Sequence, residues 1–154
     1  TVDVDKAIIA GTAYDIMRDA GLPSDVDIGK IEGAQVIVYD ENGKVPDTVS
    51  IHYFTESFPD RDQQWTSEDG LWIAANVPPG VLRVELYGVV GGALKLLGAT
   101  LVDSEADSIN VPNVYSGYGD GVKYGNACEV GAGTTGTTTT GAPTTSPTTG
   151  IMPT

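Results

Sequence analysis

The sequence predicts an all-β protein: an antiparallel two-sheet sandwich of seven or eight short strands, followed by an extended Thr/Pro/Gly-rich C-terminal tail. Three observations carry this. Runs of β-branched and aromatic residues recur at short spacing; clusters of Gly, Pro, Asn and Asp separate them; and no long stretch has helical periodicity. The composition then breaks near the C-terminus. The last aromatic is Tyr124 and the last charge is Glu129. The folding unit is therefore expected over residues 1–125, with residues 1–5 as a strand that can be donated, and residues 126–154 as a low-complexity tail.

The first strand is expected at residues 6–14 (KAIIAGTAY), with at most one helical turn at 16–20 before Gly21 and Pro23. Residues 34–40 (AQVIVYD) are apolar on both faces, which reads as a central strand. Asp40–Gly43 is a turn, because Asn-Gly tolerates positive φ. Residues 49–55 alternate, with Val49, Ile51 and Tyr53 on one face and Ser50, His52 and Phe54 on the other. A polar loop (59–63) precedes two strands, 64–66 and 71–75, that flank the tight turn Ser67–Gly70. After Pro78-Pro79-Gly80, residues 81–87 (VLRVELY) form a strand, and Gly91-Gly92 turns it into 93–102. The last strand is expected at 108–111. Alternation gives a core of Val36, Val38, Ile51, Tyr53, Trp72, Leu82, Val84 and Leu86.

Twenty-one acids against eight bases give a formal net charge of −13. Such a surface repels phosphate backbones and anionic membranes, so nucleic acid is not an expected partner. No run of about 18 apolar residues is present to span a bilayer. A chain opening on Thr1 fits a processed, secreted or cell-surface protein, as does the tail composition. The lone Cys128 cannot form an intrachain disulfide, which leaves an inert thiol or a bond between chains.

Three segments in order resemble a known family. They are AIIAGTAYD, GKIEGAQVIVYDENG and WTSEDGLWIAANVPPGVLRVELYG. Gly33-Ala34-Gln35-Val36, Thr66–Gly70 with Trp72, and Asn76–Gly80 resemble the motifs of carboxypeptidase regulatory-like modules, over about residues 7–112. The resemblance implies an Ig-like/transthyretin-like β-sandwich serving as a spacer, adhesive unit or accessory domain in a secreted protein. It implies fold more than function. The hydroxyisourate-hydrolysing enzyme of this fold is similar in fold alone, because its several histidines and C-terminal Tyr-Arg-Gly-Ser signature are missing here.

Candidate chemistry is sparse, and no catalytic residue is assigned. His52 is the single histidine, so a zinc site of usual type or a His-based triad has too few parts. No cofactor is expected. Asp60, Asp62, Glu68 and Asp69 are weak calcium candidates, with Asp103, Glu105 and Asp107 a second acidic cluster; both read first as solvated loops. Gly117–Gly121 (GYGDG) lacks the strand-to-helix context of a phosphate loop. Tyr115, Tyr118 and Tyr124 either cover the sandwich edge or bind sugar rings or another chain.

Eleven of the last 21 residues are threonine, and the chain has no Asn-x-Ser/Thr sequon. O-linked sugar is therefore expected on Thr134, Thr135, Thr137, Thr138, Thr139, Thr140, Thr144, Thr145, Thr148 and Thr149. Two connectors stand out for contacts between copies. Val2 and Val4 alternate with Asp3 and Asp5, as a donated strand requires, and Ile151-Met152 is an apolar end to the tail. The expected function is a non-enzymatic structural subunit of an extracellular filament or surface appendage, built from copies of itself. The alternative is a monomeric accessory or carbohydrate-binding module of a larger secreted protein.

Overall fold

A computed structural model describes residues 2–16, 29–118 and 124–132. The chain runs β1 (Ala7–Asp15), β2 (Gly29–Lys30), β3 (Gln35–Tyr39), β4 (Ser50–Thr55), β5 (Phe58–Asp60), β6 (Leu71–Val77), β7 (Gly80–Val90), β8 (Ala93–Ser104), β9 (Ile109–Asn110), β10 (Asn113–Ser116) and a short helix α1 (Ala127–Ala132). A larger sheet has the order β10-β1-β6-β4-β5, with β2 and β9 also on β1. A smaller sheet has the order β3-β7-β8. The expected two-sheet all-β architecture is present.

Alternation does the folding work. β1 reads strictly buried, half-buried along its nine residues, and Val36, Val38, Leu82, Val84 and Leu86 all turn inward from the smaller sheet. They meet Ile9, Tyr53, Trp72 and Ala74 of the larger sheet in one continuous buried cluster, with Val49 and Ile51 packed against it. Each fully buried Leu, Val or Trp contributes about 1.5–3 kcal/mol of transfer free energy. Trp72 lies over Gly11, where a Cβ would fall 2.6 Å from the indole ring. Glycine at that place in β1 is a packing requirement.

Several expectations change. Residues 34–40 do not make a central strand: among the described residues β3 is an edge that pairs only with β7. Its second face is apolar because Ile37 and Tyr39 line an outer surface and stay half-buried there. Pairing is not antiparallel throughout, since β1 runs parallel to both β9 and β10. The chain returns beside its own first strand, and Pro112, which has no N–H to give a ladder, divides that return into two short pieces. Residues 64–66 are not a strand, while Phe58–Asp60 is one. Ala127 is buried and donates its N–H to Gly33 O at 2.9 Å, so the described chain stays in contact with the sheets beyond Tyr124.

Thr66 explains why the 64–66 segment leaves the strand path. Its side chain is fully buried, and its hydroxyl donates to Ile31 O (2.6 Å) while accepting from Ala34 N (2.9 Å). Its own N–H donates to Ala34 O (2.8 Å), and its carbonyl accepts from Gly33 N (2.8 Å). Gly33 sits at φ 86°, with Gly125 and Asn126 filling the space a side chain would need. Two residues on, Val36 N donates to Tyr53 Oη at 2.8 Å. Replacing Thr66 with Val keeps the shape and strands a buried donor and acceptor. The expected loss is about 2 kcal/mol of stability, with Thr66→Ser retaining most of it. Urea unfolding of the two variants checks this.

Candidate functional site

The smaller sheet has an outer face as well as an inner one. Cross-strand register puts Tyr39, Arg83 and Leu101 in one row and Ile37, Glu85 and Ala99 in the next. Odd-numbered positions of β3 and β7 thus face outward together, because the even ones are committed to the core. Tyr39, Arg83, Leu101 and Glu85 from these rows form the floor of a groove of about 550 Å³, lined also by Asp40, Glu41, Gly43 and Val81. One wall is the turn after β3. Asp40 Oδ1 accepts from Asn42 N (2.9 Å) and Lys44 N (2.8 Å), and Gly43 closes the turn at φ 75°. That wall is held by its own hydrogen bonds.

A polar chain crosses the floor. Arg83 Nε donates to Glu85 Oε1 at 2.5 Å, and Tyr87 Oη donates to Glu85 Oε2. The Tyr87 hydroxyl, with the Arg83 guanidinium adding to it, holds Glu85 below the usual carboxylate range against the opposing effect of burial. In return, the Glu85 carboxylate pushes the Tyr87 phenol well up, with burial and Tyr39 reinforcing the shift. Only Nε of the half-exposed Arg83 side chain is engaged among the described residues, so donors remain on the guanidinium. Tyrosine rings and aliphatic side chains beside a fixed Arg–Glu pair offer an apolar platform with directed donors and acceptors.

The residues singled out in the sequence lie elsewhere. His52 is on the outer face of β4, with Nε2 3.3 Å from Ser50 Oγ. Cys128 Sγ donates to Gln64 O at 3.1 Å, and burial pushes its thiol up, away from the reactive thiolate. Asp60 is used by Thr55 Oγ1 (3.0 Å) and Asp62 N (2.9 Å), and Asp69 pairs with Lys30 at 3.4 Å. Glu68 sits in the Ser67–Gly70 turn. Asp103 is exposed on β8, Glu105 accepts from Ser108 Oγ through its carbonyl, and Asp107 N donates to Lys6 O at 3.0 Å. Among the described residues no three His, Cys, Asp or Glu side chains gather closely enough to hold a metal ion.

The tyrosine row divides. Tyr115 stacks on Tyr14 with centroids 5.5 Å apart. Tyr118 is exposed. Tyr124 turns inward, its hydroxyl 2.8 Å from Ser116 Oγ, and burial pushes its phenol up to about 12. At the N-terminus, Lys6 N donates to Asp3 O, so Val4 lies within a turn and Val2 just before it, and Val4 is 86% exposed. The candidate threonines from Thr134 to Thr149, Ile151, Met152 and most of the 16–20 turn lie outside the described residues.

The groove residues escaped the sequence reading, although one signal pointed to them. Arg83, Glu85 and Tyr87 share one face of a strand that sets Leu82, Val84 and Leu86 on the other. Tyr39 and Leu101 join them only through register.

No protein-family model matches the chain, and no curated protein matches it. Among solved structures, it is similar to a Pseudomonas aeruginosa protein provisionally assigned as carbohydrate-binding. The TM-score is 0.42 and the identity 12%, over 75% of this chain and 92% of the other.

The network itself is testable. Tyr87→Phe removes the donor that favours ionised Glu85, so the Glu85 carboxyl should titrate at higher pH. Because its folded value is lowered, the carboxylate's contribution to stability is complete above the ordinary Glu range and is lost as pH falls through the folded value. In Tyr87→Phe the contribution should be smaller and its loss complete at a higher pH, because only the folded-state value moves. Carboxyl NMR titration and acid unfolding read both effects.

Proposed function

We propose that this chain is a secreted or cell-surface, non-enzymatic binding module whose smaller sheet holds a carbohydrate on its outer face. The observation that carries the reading is the groove floor, where Tyr39 and Leu101 flank Arg83 beside Glu85, whose carboxylate Tyr87 holds from outside the groove. Sugar rings present apolar C–H faces and hydroxyl edges, which suit aromatic platforms and paired charged hydrogen-bonding groups respectively. Asp40, Glu41 and Glu85 outnumber Arg83 around the groove, so the ligand is a glycan without acidic groups. The similarity of the GAQV, TSEDG and NVPPG segments to carboxypeptidase regulatory-like modules of the transthyretin-like fold suits an accessory module. O-linked sugar on the Thr-rich tail suits a stalk that carries it.

The test is glycan-array screening of the full chain, followed by calorimetry on the best neutral ligand. Tyr39→Ala and Arg83→Ala should each weaken binding about tenfold, or ~1.4 kcal/mol, with circular dichroism unchanged. Undiminished binding in both variants would remove the groove from consideration.

A second reading, the filament subunit, is favoured by one observation. Val4 projects beside the exposed Ile109 of β9, and the two line a shallow cleft of about 230 Å³ together with Val2 and Ile8. Donation of residues 1–5 to another copy would open the Asp3–Lys6 turn and seat the valines in a neighbour. Deleting residues 1–5 should then leave a folded chain that no longer forms filaments in electron micrographs.

A further inference from the structure

Every sheet edge is a potential pairing site unless something covers it. Among the described residues most edges here are covered. β3 directs the N–H groups of Ala34 and Val36 away from β7, and Thr66 Oγ1 and Tyr53 Oη accept them. β5 carries Pro59, which cannot donate. The middle of β8 is closed by Gly117 N, which donates to Leu97 O at 3.1 Å, and by the Tyr115 carbonyl, which lies against Gly98. Beyond Gly98 the cover stops. Ala99 to Asp103 pair with β7 on one side and with no described strand on the other.

The direction of the free groups follows from the ladder. Since Ala34 and Val36 point away from β7, Gln35, Ile37 and Tyr39 point toward it, opposite Tyr87, Glu85 and Arg83. Leu82, Val84 and Leu86 are then left to bond Val102, Thr100 and Gly98. Ala99, Leu101 and Asp103 therefore direct their N–H and C=O groups outward along the open edge. This edge has none of the usual protections: no proline, no bulge beyond the one at Leu86/Tyr87, and no charge before Asp103. Its central side chain, Leu101, is 68% exposed.

We infer that the Ala99–Asp103 edge of β8 pairs with the same edge of a second copy of this chain, antiparallel about a two-fold axis at Leu101. The edge is self-complementary in that arrangement. Leu101 faces its own equivalent and Ala99 faces Asp103, so no acid is set directly against another, and each facing pair exchanges two N–H···O bonds. An apolar centre at Leu101, with one Asp103 at each end of the seam, suits association between two copies that each carry −13, because ladder bonds do not depend on side-chain charge. The two smaller sheets become one continuous sheet with both grooves on a single face. So short a seam makes a weak dimer, with a Kd of about 100 µM. Screening of the like charges makes it tighter at higher salt. The inference does not depend on what the groove binds.

Sedimentation velocity of the full chain, across about a hundredfold range of concentration and at low and high salt, reads the association directly. The wild type should shift from monomer to dimer, and more readily at high salt. Leu101→Lys sets two like charges face to face and should remain monomeric, with an unchanged thermal midpoint. Leu101→Pro removes the edge N–H without touching the β7 ladder and adds no charge, and it should weaken the dimer. A wild type that stays monomeric throughout, or a dimer that persists in both variants, overturns the inference. So does association that deletion of residues 1–5 abolishes and Leu101→Lys leaves intact, since that places the contact at the N-terminal segment.

Discussion

The fully buried hydroxyl of Thr66 is the interaction on which most of this structure depends. β3 is an edge strand whose outward N–H groups start inside the protein, next to the core, where water cannot serve them. Thr66 Oγ1 and Tyr53 Oη accept from Ala34 and Val36, and the Thr66 backbone bonds both Gly33 and Ala34. These bonds fasten the smaller sheet to the larger one at a place where no strand continues between them. They also set β3 in register, because they use the N–H groups of alternate residues. Gly33 adds the C-terminal segment to the same point by accepting from Ala127.

Once β3 is fixed in this way, the outer face is fixed too. Val36 and Val38 go inward, so Ile37 and Tyr39 must go outward; the ladder then places Arg83 and Glu85 beside them. The groove is thus the reverse side of the core packing. Its polar floor is rigid for a related reason. Glu85 is held from two sides, by Tyr87 and Arg83, and the Asp40–Lys44 turn is tied by its own carboxylate. A site built on strands with satisfied side chains loses little entropy when a ligand lands on it. Among the described residues the same geometry leaves β8 as the outermost strand of the smaller sheet, with no strand beside its far half.

The strands with unmixed alternation were legible in advance. Residues 81–87 and 49–55 announce themselves by period two, and every core residue expected from that period is buried or packed against the core. Turn chemistry was equally plain at Asp40–Gly43, Ser67–Gly70 and Gly91-Gly92, where three tight reversals are found. Failures came where two signals coincide. Apolar residues on both faces of 34–40 mimic a central strand, because an outer platform of Ile37 and Tyr39 looks like burial in a one-dimensional pattern. Trp65-Thr66 looks like strand by propensity, but the threonine's hydroxyl is worth more as a buried acceptor and donor than its backbone is in a ladder.

By itself the sequence determined the fold class, the inward set of side chains and the turns, because these follow from local periodicity and from the backbone preferences of Gly, Asn and Pro. It also determined the acidic charge and the want of parts for an imidazole–metal site. Only the tertiary structure decided which strands are neighbours. That choice made β1 run parallel to β9 and β10, drew Tyr39 and Leu101 onto the Arg83–Glu85 pair, and left the end of β8 with no second described strand beside it. Register across strands far apart in the chain depends on which buried donors find acceptors, and that is settled only when the sheets meet.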